Sequence, residues 1–131
     1  MAQYKRSDFE LMAPAGSRES LSAAIAGGAD SVYFGVGRLN MRAHAAGNLT
    51  AEELPEIMGI VHRAGKKGYL TVNTVIYDEE IGEMEGLIDA AVSAGVDAVI
   101  ASDMAVVLAC RQRGMPVRFL AGSHRLRQRG R

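Results

Sequence analysis

The chain has 131 residues, 48% of them apolar, with a single cysteine. That suffices for one globular domain, not two, and for only part of a (β/α)8 barrel, which takes roughly 250 residues. One cysteine excludes an internal disulfide and any metal site built on several thiolates. The formal net charge of zero hides a polarity: through Cys110 there are 8 Lys and Arg against 15 Asp and Glu, whereas from Arg111 onward there are 7 Arg and no acid. No apolar run approaches the roughly twenty residues of a membrane span, and the start MAQYKRSDFE has no signal-peptide core. The expectation is a cytoplasmic protein without membrane contact.

Leu11-Met12-Ala13 is a short apolar run, followed by Pro14-Ala15-Gly16 and by Ser17, a helix N-cap with Glu19 in the first turn. Leu21, Ala24 and Ile25 share a helical face, Gly27-Gly28 ends the helix, and Val32-Tyr33-Phe34-Gly35 reads as a second strand. A strand, a helix and a strand within about thirty residues make a βαβ unit with parallel strands. The stretch 36–48 carries no clear period and reads as a loop. Thr50-Ala51-Glu52-Glu53 is a capping box, which predicts a helix from Ala51 with Pro55 in its second turn and Gly65 at its end.

Gly68 to Tyr77, rich in β-branched and aromatic residues, predicts a third strand. Acids 78–80 open a third helix, in which Ile81, Met84, Leu87, Ile88, Ala91 and Val92 recur at helical spacing and Gly82 and Gly86 weaken the interior. Gly95-Val96-Asp97-Ala98-Val99-Ile100-Ala101 then echoes Gly28-Ala29-Asp30-Ser31-Val32-Tyr33-Phe34: a helix end leading into a strand. Ser102 or Asp103 caps a helix over Met104–Arg113, and residues 117–121 form a fifth strand. The order is α/β, repeating βα units with parallel strands. On length alone it fits a flavodoxin-like open sheet. An incomplete TIM-type barrel of five strands and four helices is the other architecture.

In parallel βα folds, ligands meet the C-terminal ends of the strands. The polar residues expected there are Ser17, Asn40, Arg42, Asn73, Thr74, Ser102, Asp103, Ser123 and His124. Arg42 can clamp a carboxylate or phosphate, Asn73 can orient a substrate through its amide, and Ser102-Asp103 serve first as a helix cap. As candidate substrate-binding residues these give Asn40, Arg42, Asn73, Ser102 and Asp103. Glu10, just before strand one, needs a partner if it sits inside a barrel and stays charged. There is no phosphate-loop spacing, His44, His62 and His124 share no metal-ligand spacing, and Cys110 reads as a core residue. No catalytic constellation is proposed by spacing.

Three phrases resemble the collagenase-like peptidases, family U32: Glu10-Leu11-Met12-Ala13-Pro14-Ala15-Gly16, then 28–35, then Asn40-Met41-Arg42-Ala43. The stretches 65–74 and 97–103 continue it in order. The resemblance implies the barrel reading: a partial (β/α) barrel over 1–122 and a basic, disordered tail over 123–131. It implies an N-terminal part of a peptidase, or of relatives that hydroxylate RNA bases or quinone precursors, inactive without a later half. Some relatives hold an iron–sulfur cluster on later cysteines that this chain lacks, so no cofactor is expected here. Implied partners are a second copy or a second-half chain completing the barrel, with peptide or RNA as substrate. The alternative is a non-catalytic binding module in which Arg125, Arg127 and Arg129 contact RNA or another anionic partner. Against that arm stands a terminal scar, which the alternating arginines after an acidic body also fit.

Overall fold

The computed structural model describes residues 9–36, 49–72 and 76–119. Nine elements alternate along the chain: β1 (Met12–Pro14), α1 (Arg18–Ala26), β2 (Ser31–Phe34), α2 (Leu54–Arg63), β3 (Lys67–Val72), α3 (Ile81–Ala94), β4 (Ala98–Ala101), α4 (Met104–Gln112) and β5 (Val117–Phe119). All four strand pairs are parallel, and the sheet order is β1-β2-β3-β4-β5.

That order decides between the two sequence-based architectures. A flavodoxin-like sheet reverses direction near its start, with order 2-1-3-4-5, and so places helices on both faces. Here the strands follow chain order without reversal. Right-handed crossovers then put every helix on one face. Leu21 of α1, Ile57 of α2, Ile88 of α3 and Val106 of α4 accordingly share one buried cluster with Val32, Leu70, Val72 and Val99 of the strands. The flavodoxin-like alternative is therefore corrected to a singly wound open sheet.

Among the described residues, the opposite sheet face carries no helix. A contact across it shows the sheet's curvature: Arg118 Nη2 on β5 lies 3.6 Å from Glu10 Oε1, which leads into β1. In a flat sheet these strands stand four spacings, roughly 19 Å, apart. One arginine and one glutamate meet over that span only because the sheet curls around its bare face, which is concave.

Local chemistry explains the element boundaries. Ser17 caps α1 by accepting the Ser20 N–H at 3.1 Å, as the sequence predicts. The Thr50–Glu53 box also forms, with the Glu53 carboxylate accepting from Thr50 N–H at 2.8 Å. It opens a 3-10 turn over Ala51–Glu53, however, and the α-helix begins only at Leu54. Pro55 therefore lies in the first turn of α2 rather than the second, where its missing N–H leaves no bond broken. A second 3-10 turn, Asp78–Glu80, precedes α3 in the same way, with Tyr77 N–H donating to Glu80 Oε1 at 3.0 Å. Strand β3 is described over Lys67–Val72, and it does not reach Tyr77 as predicted, since Ile76 and Tyr77 lie outside any strand.

Candidate functional site

Two places in the fold gather polar groups. The first is the rim at the C-terminal ends of the strands. Ser17 lies there as the cap of α1, and Ser102-Asp103 link β4 to α4. Asp103 uses both carboxylate oxygens on backbone: Oδ1 accepts Ala105 N–H at 2.8 Å and Oδ2 accepts Ile76 N–H at 2.8 Å. It therefore caps α4 and also anchors the segment that follows β3. Ser102 is exposed beside it. Asn40, Arg42, Asn73, Thr74, Ser123, His124 and the tail arginines Arg125, Arg127 and Arg129 lie outside the described residues.

The second place lies at the opposite end of the concave face and was only half visible in the sequence. Glu10 is exposed rather than enclosed, and it nonetheless has partners: Tyr69 Oη donates to Glu10 Oε2 at 2.5 Å, and Arg118 stands close by. Arg118 also lies over the Tyr69 ring, its guanidinium carbon 4.6 Å from the centroid, and its Nη2 donates to the phenol oxygen at 3.3 Å. Tyr69 is 1% exposed beneath these two side chains. The fully buried Ser31 hydroxyl completes the cluster; it makes no hydrogen bond of good geometry. It is nonetheless near enough to Glu10 to hold that carboxyl below its usual range, together with the Tyr69 and Arg118 donors and against desolvation. Burial, helped by the Glu10 carboxylate, pushes the Tyr69 phenol up, so it stays protonated and donating.

Register explains the juxtaposition. Ser31 pairs with Lys67, and Tyr33 with Tyr69, so Ser31, Tyr33, Lys67 and Tyr69 point to one face, while Val32, Phe34 and Leu70 point to the helices. Beside the cluster lies a cavity of about 300 Å³ lined by Lys67, Tyr69, Asp97, Ala98, Pro116, Val117 and Arg118. Glu10 was the sequence's one pointer to this site. Tyr69 and Arg118 lie 59 and 108 residues further on, beyond the reach of any local pattern.

Among the described residues no three His, Cys, Asp or Glu side chains are grouped to hold a metal ion. Cys110 is fully buried in the core, and that burial pushes its thiol up. Among the same residues, no helix is long and apolar enough to cross a membrane.

The sequence profile described as peptidase family U32 matches residues 16–123. The chain belongs to this family. Its relatives include a protein named collagenase from Porphyromonas gingivalis strain W83, 56% identical over 84% of this chain and 27% of its own length. The 23S rRNA 5-hydroxycytidine C2501 synthase of Escherichia coli K12 is 35% identical over 76% of this chain and 15% of its own. The tRNA hydroxylation protein P1 of Bacillus subtilis 168 is 34% identical over 79% and 24%. This U32 chain thus spans about a quarter or less of these relatives. The solved structure of the U32 peptidase Mk0906 superimposes with a TM-score of 0.61, covering 84% of this chain and 48% of that one at 14% identity. That likeness supports the fold.

Proposed function

We propose that this chain supplies the first five strands and four helices of a TIM-type barrel in a collagenase-like hydrolase, and that cleavage of a peptide substrate requires surfaces beyond it. The observation that carries this reading is the 56% identity to the Porphyromonas gingivalis collagenase, which runs through 84% of the chain. The surface agrees with it. Within the described residues β5 pairs only with β4, and α4 exposes Met104 and Leu108 one turn apart, where another βα unit would pack. The substrate lies at the C-terminal rim, near Ser102 and Asp103, and Asn40, Arg42 and Asn73 are the further residues proposed to bind it. A second-half chain or a second copy closes the barrel, and the reaction takes place in the cytoplasm.

RNA hydroxylation is the second reading, favoured by the named activities of the Escherichia coli and Bacillus subtilis relatives. One experiment separates the two. The chain is produced alone and together with the part of the Porphyromonas gingivalis collagenase that follows the matched region. Both preparations are assayed for gelatin cleavage and, by mass spectrometry of nucleosides, for oxygen added to tRNA and rRNA. Gelatin cleavage by the pair and not by the chain alone supports the proposal. Cleavage by the chain alone overturns the need for further surfaces, and nucleoside hydroxylation without cleavage moves the function to RNA.

A further inference from the structure

We propose that the cavity at the N-terminal ends of β3, β4 and β5 is a binding site for a small oxyanion, a carboxylate or phosphate group carried on a compact apolar body. The site lies at the opposite end of the strands from the rim where a peptide or RNA substrate would be handled, so it does not depend on that reading. Its volume of about 300 Å³ is at the lower end of those that hold small ligands. Two cationic side chains line it, Lys67 and Arg118, with one carboxylate, Asp97.

The carboxylate is already committed. Asp97 Oδ2 accepts the Gly68 N–H at 2.8 Å and lies 3.0 Å from His62 Nε2. The cations have donors to spare. Lys67 is exposed, and within the described residues its ammonium has no ion pair. Arg118 uses one terminal nitrogen, Nη2, for both its Tyr69 bond and its longer approach to Glu10, and among the described residues the rest of its planar fork has no partner. Its guanidinium carbon lies 4.6 Å from the centroid of the Tyr69 ring, which keeps that end of the side chain beside the cavity. A planar guanidinium suits the two-pronged geometry of a carboxylate or phosphate, and an ammonium adds charge without a directional demand. Ala98, Pro116 and Val117 supply the apolar wall for the ligand's body.

The test is a calorimetric and NMR titration of the chain with inorganic phosphate and, separately, with benzoate, at low ionic strength. Saturable binding of at least one probe is expected, with shifts confined to residues around 67–69, 97–98 and 116–118. Lys67→Gln, an exposed change that leaves the core intact, is expected to weaken it about tenfold, as is Arg118→Gln, while Lys66→Gln leaves it unchanged. Tighter binding of phosphate than of benzoate identifies a phosphoryl ligand, and the reverse a carboxylate on an apolar body. Absence of saturation with both probes, or equal affinity in Lys67→Gln and Lys66→Gln, overturns the proposal.

Discussion

Gly68 and Asp97 are joined by two hydrogen bonds running in opposite directions: Asp97 N–H donates to the Gly68 carbonyl at 2.9 Å, and Gly68 N–H donates to Asp97 Oδ2 at 2.8 Å. Leu11 and Asp30 repeat the arrangement, at 2.8 and 2.7 Å. In both cases a glycine at positive φ, Gly28 at 91° or Gly95 at 82°, ends a helix, and the aspartate two residues later reaches back to the preceding strand. The side chain satisfies a backbone N–H at the point where the parallel ladder begins. The echo between 28–34 and 95–101 is thus one structural device used twice, to start β2 against β1 and β4 against β3.

The first prediction follows from that device. Asp97→Ala leaves the part-buried Gly68 N–H without an acceptor, at a cost of about 1–3 kcal/mol. His62→Ala removes only a solvent-facing pair, whose side chains are 44% and 30% exposed, and should cost less than about 1 kcal/mol. Urea midpoints of the two variants check this. Equal losses would assign the aspartate's role to the histidine pair instead.

Glycines within one helix and at its end should respond in opposite directions. Gly86 is exposed inside α3, and a Cβ built there meets nothing within 4 Å. Gly86→Ala should therefore stabilise by about 0.5–1 kcal/mol through backbone entropy and helix propensity. Gly95, at the end of the same helix, holds φ +82°, and Gly95→Ala should destabilise by about 1–2 kcal/mol. Thermal melts of both variants decide it. A stabilising Gly95→Ala would mean that the helix ends differently.

Much of the fold could be read from the sequence because its signals are local. The Ser17 cap, the Thr50–Glu53 box and the Gly-x-Asp echo each span at most a few residues, and each appears in the structure. The choice of sheet could be read only through the family resemblance and not from the residue pattern, because strand order is a property of the whole chain. Nor could the Arg18 clamp, in which one guanidinium binds Glu53 at 2.9 Å and Glu56 at 2.8 Å across 35 and 38 residues, tying α1 to the start of α2. A clue to it was present: a cation in the first helical turn opposes the helix dipole and calls for acidic company. The pattern at Ser102-Asp103 fits a cap and a ligand site equally, and the geometry of Asp103 is that of a cap.

Three carboxyls should make the fold sensitive to acid. Glu10 is held below its usual range by Ser31, Tyr69 and Arg118; Glu53 by the Thr50 N–H and then Arg18; Glu56 by Arg18. A carboxyl lowered in the folded state binds its proton more readily when unfolded. Its contribution is therefore complete above the ordinary glutamate value, about pH 4.3, and is lost as pH falls through the lower folded value. Stability should be flat from pH 7 to about 5 and then decline, with the decline shallower in Arg18→Gln and in Glu10→Gln. All three groups are solvent-accessible, so the effect should shrink as salt is raised from low to about 1 M. A steepening in either variant would contradict the assigned direction.

Cys110 provides a probe of the helix-side core that involves none of these charges. Its side chain is fully buried, in the cluster that α4 forms with β4, and burial raises its thiol above the usual cysteine range although the Arg113 guanidinium opposes the rise. A thiolate is needed for attack on a disulfide reagent, so both the low thiolate fraction and the lack of access slow the reaction. At neutral pH the native protein should react with Ellman's reagent at least about a hundredfold more slowly than the urea-unfolded chain. The native rate should also rise as urea approaches the unfolding midpoint, because exposure then requires α4 to leave the sheet. Cys110→Ala removes a sulfur from a filled core and should cost about 1–2 kcal/mol, near the cost of deleting one or two buried methylene groups. Rapid labelling of the folded chain, with a circular dichroism spectrum unchanged by the reagent, would show that α4 does not seal this side of the sheet.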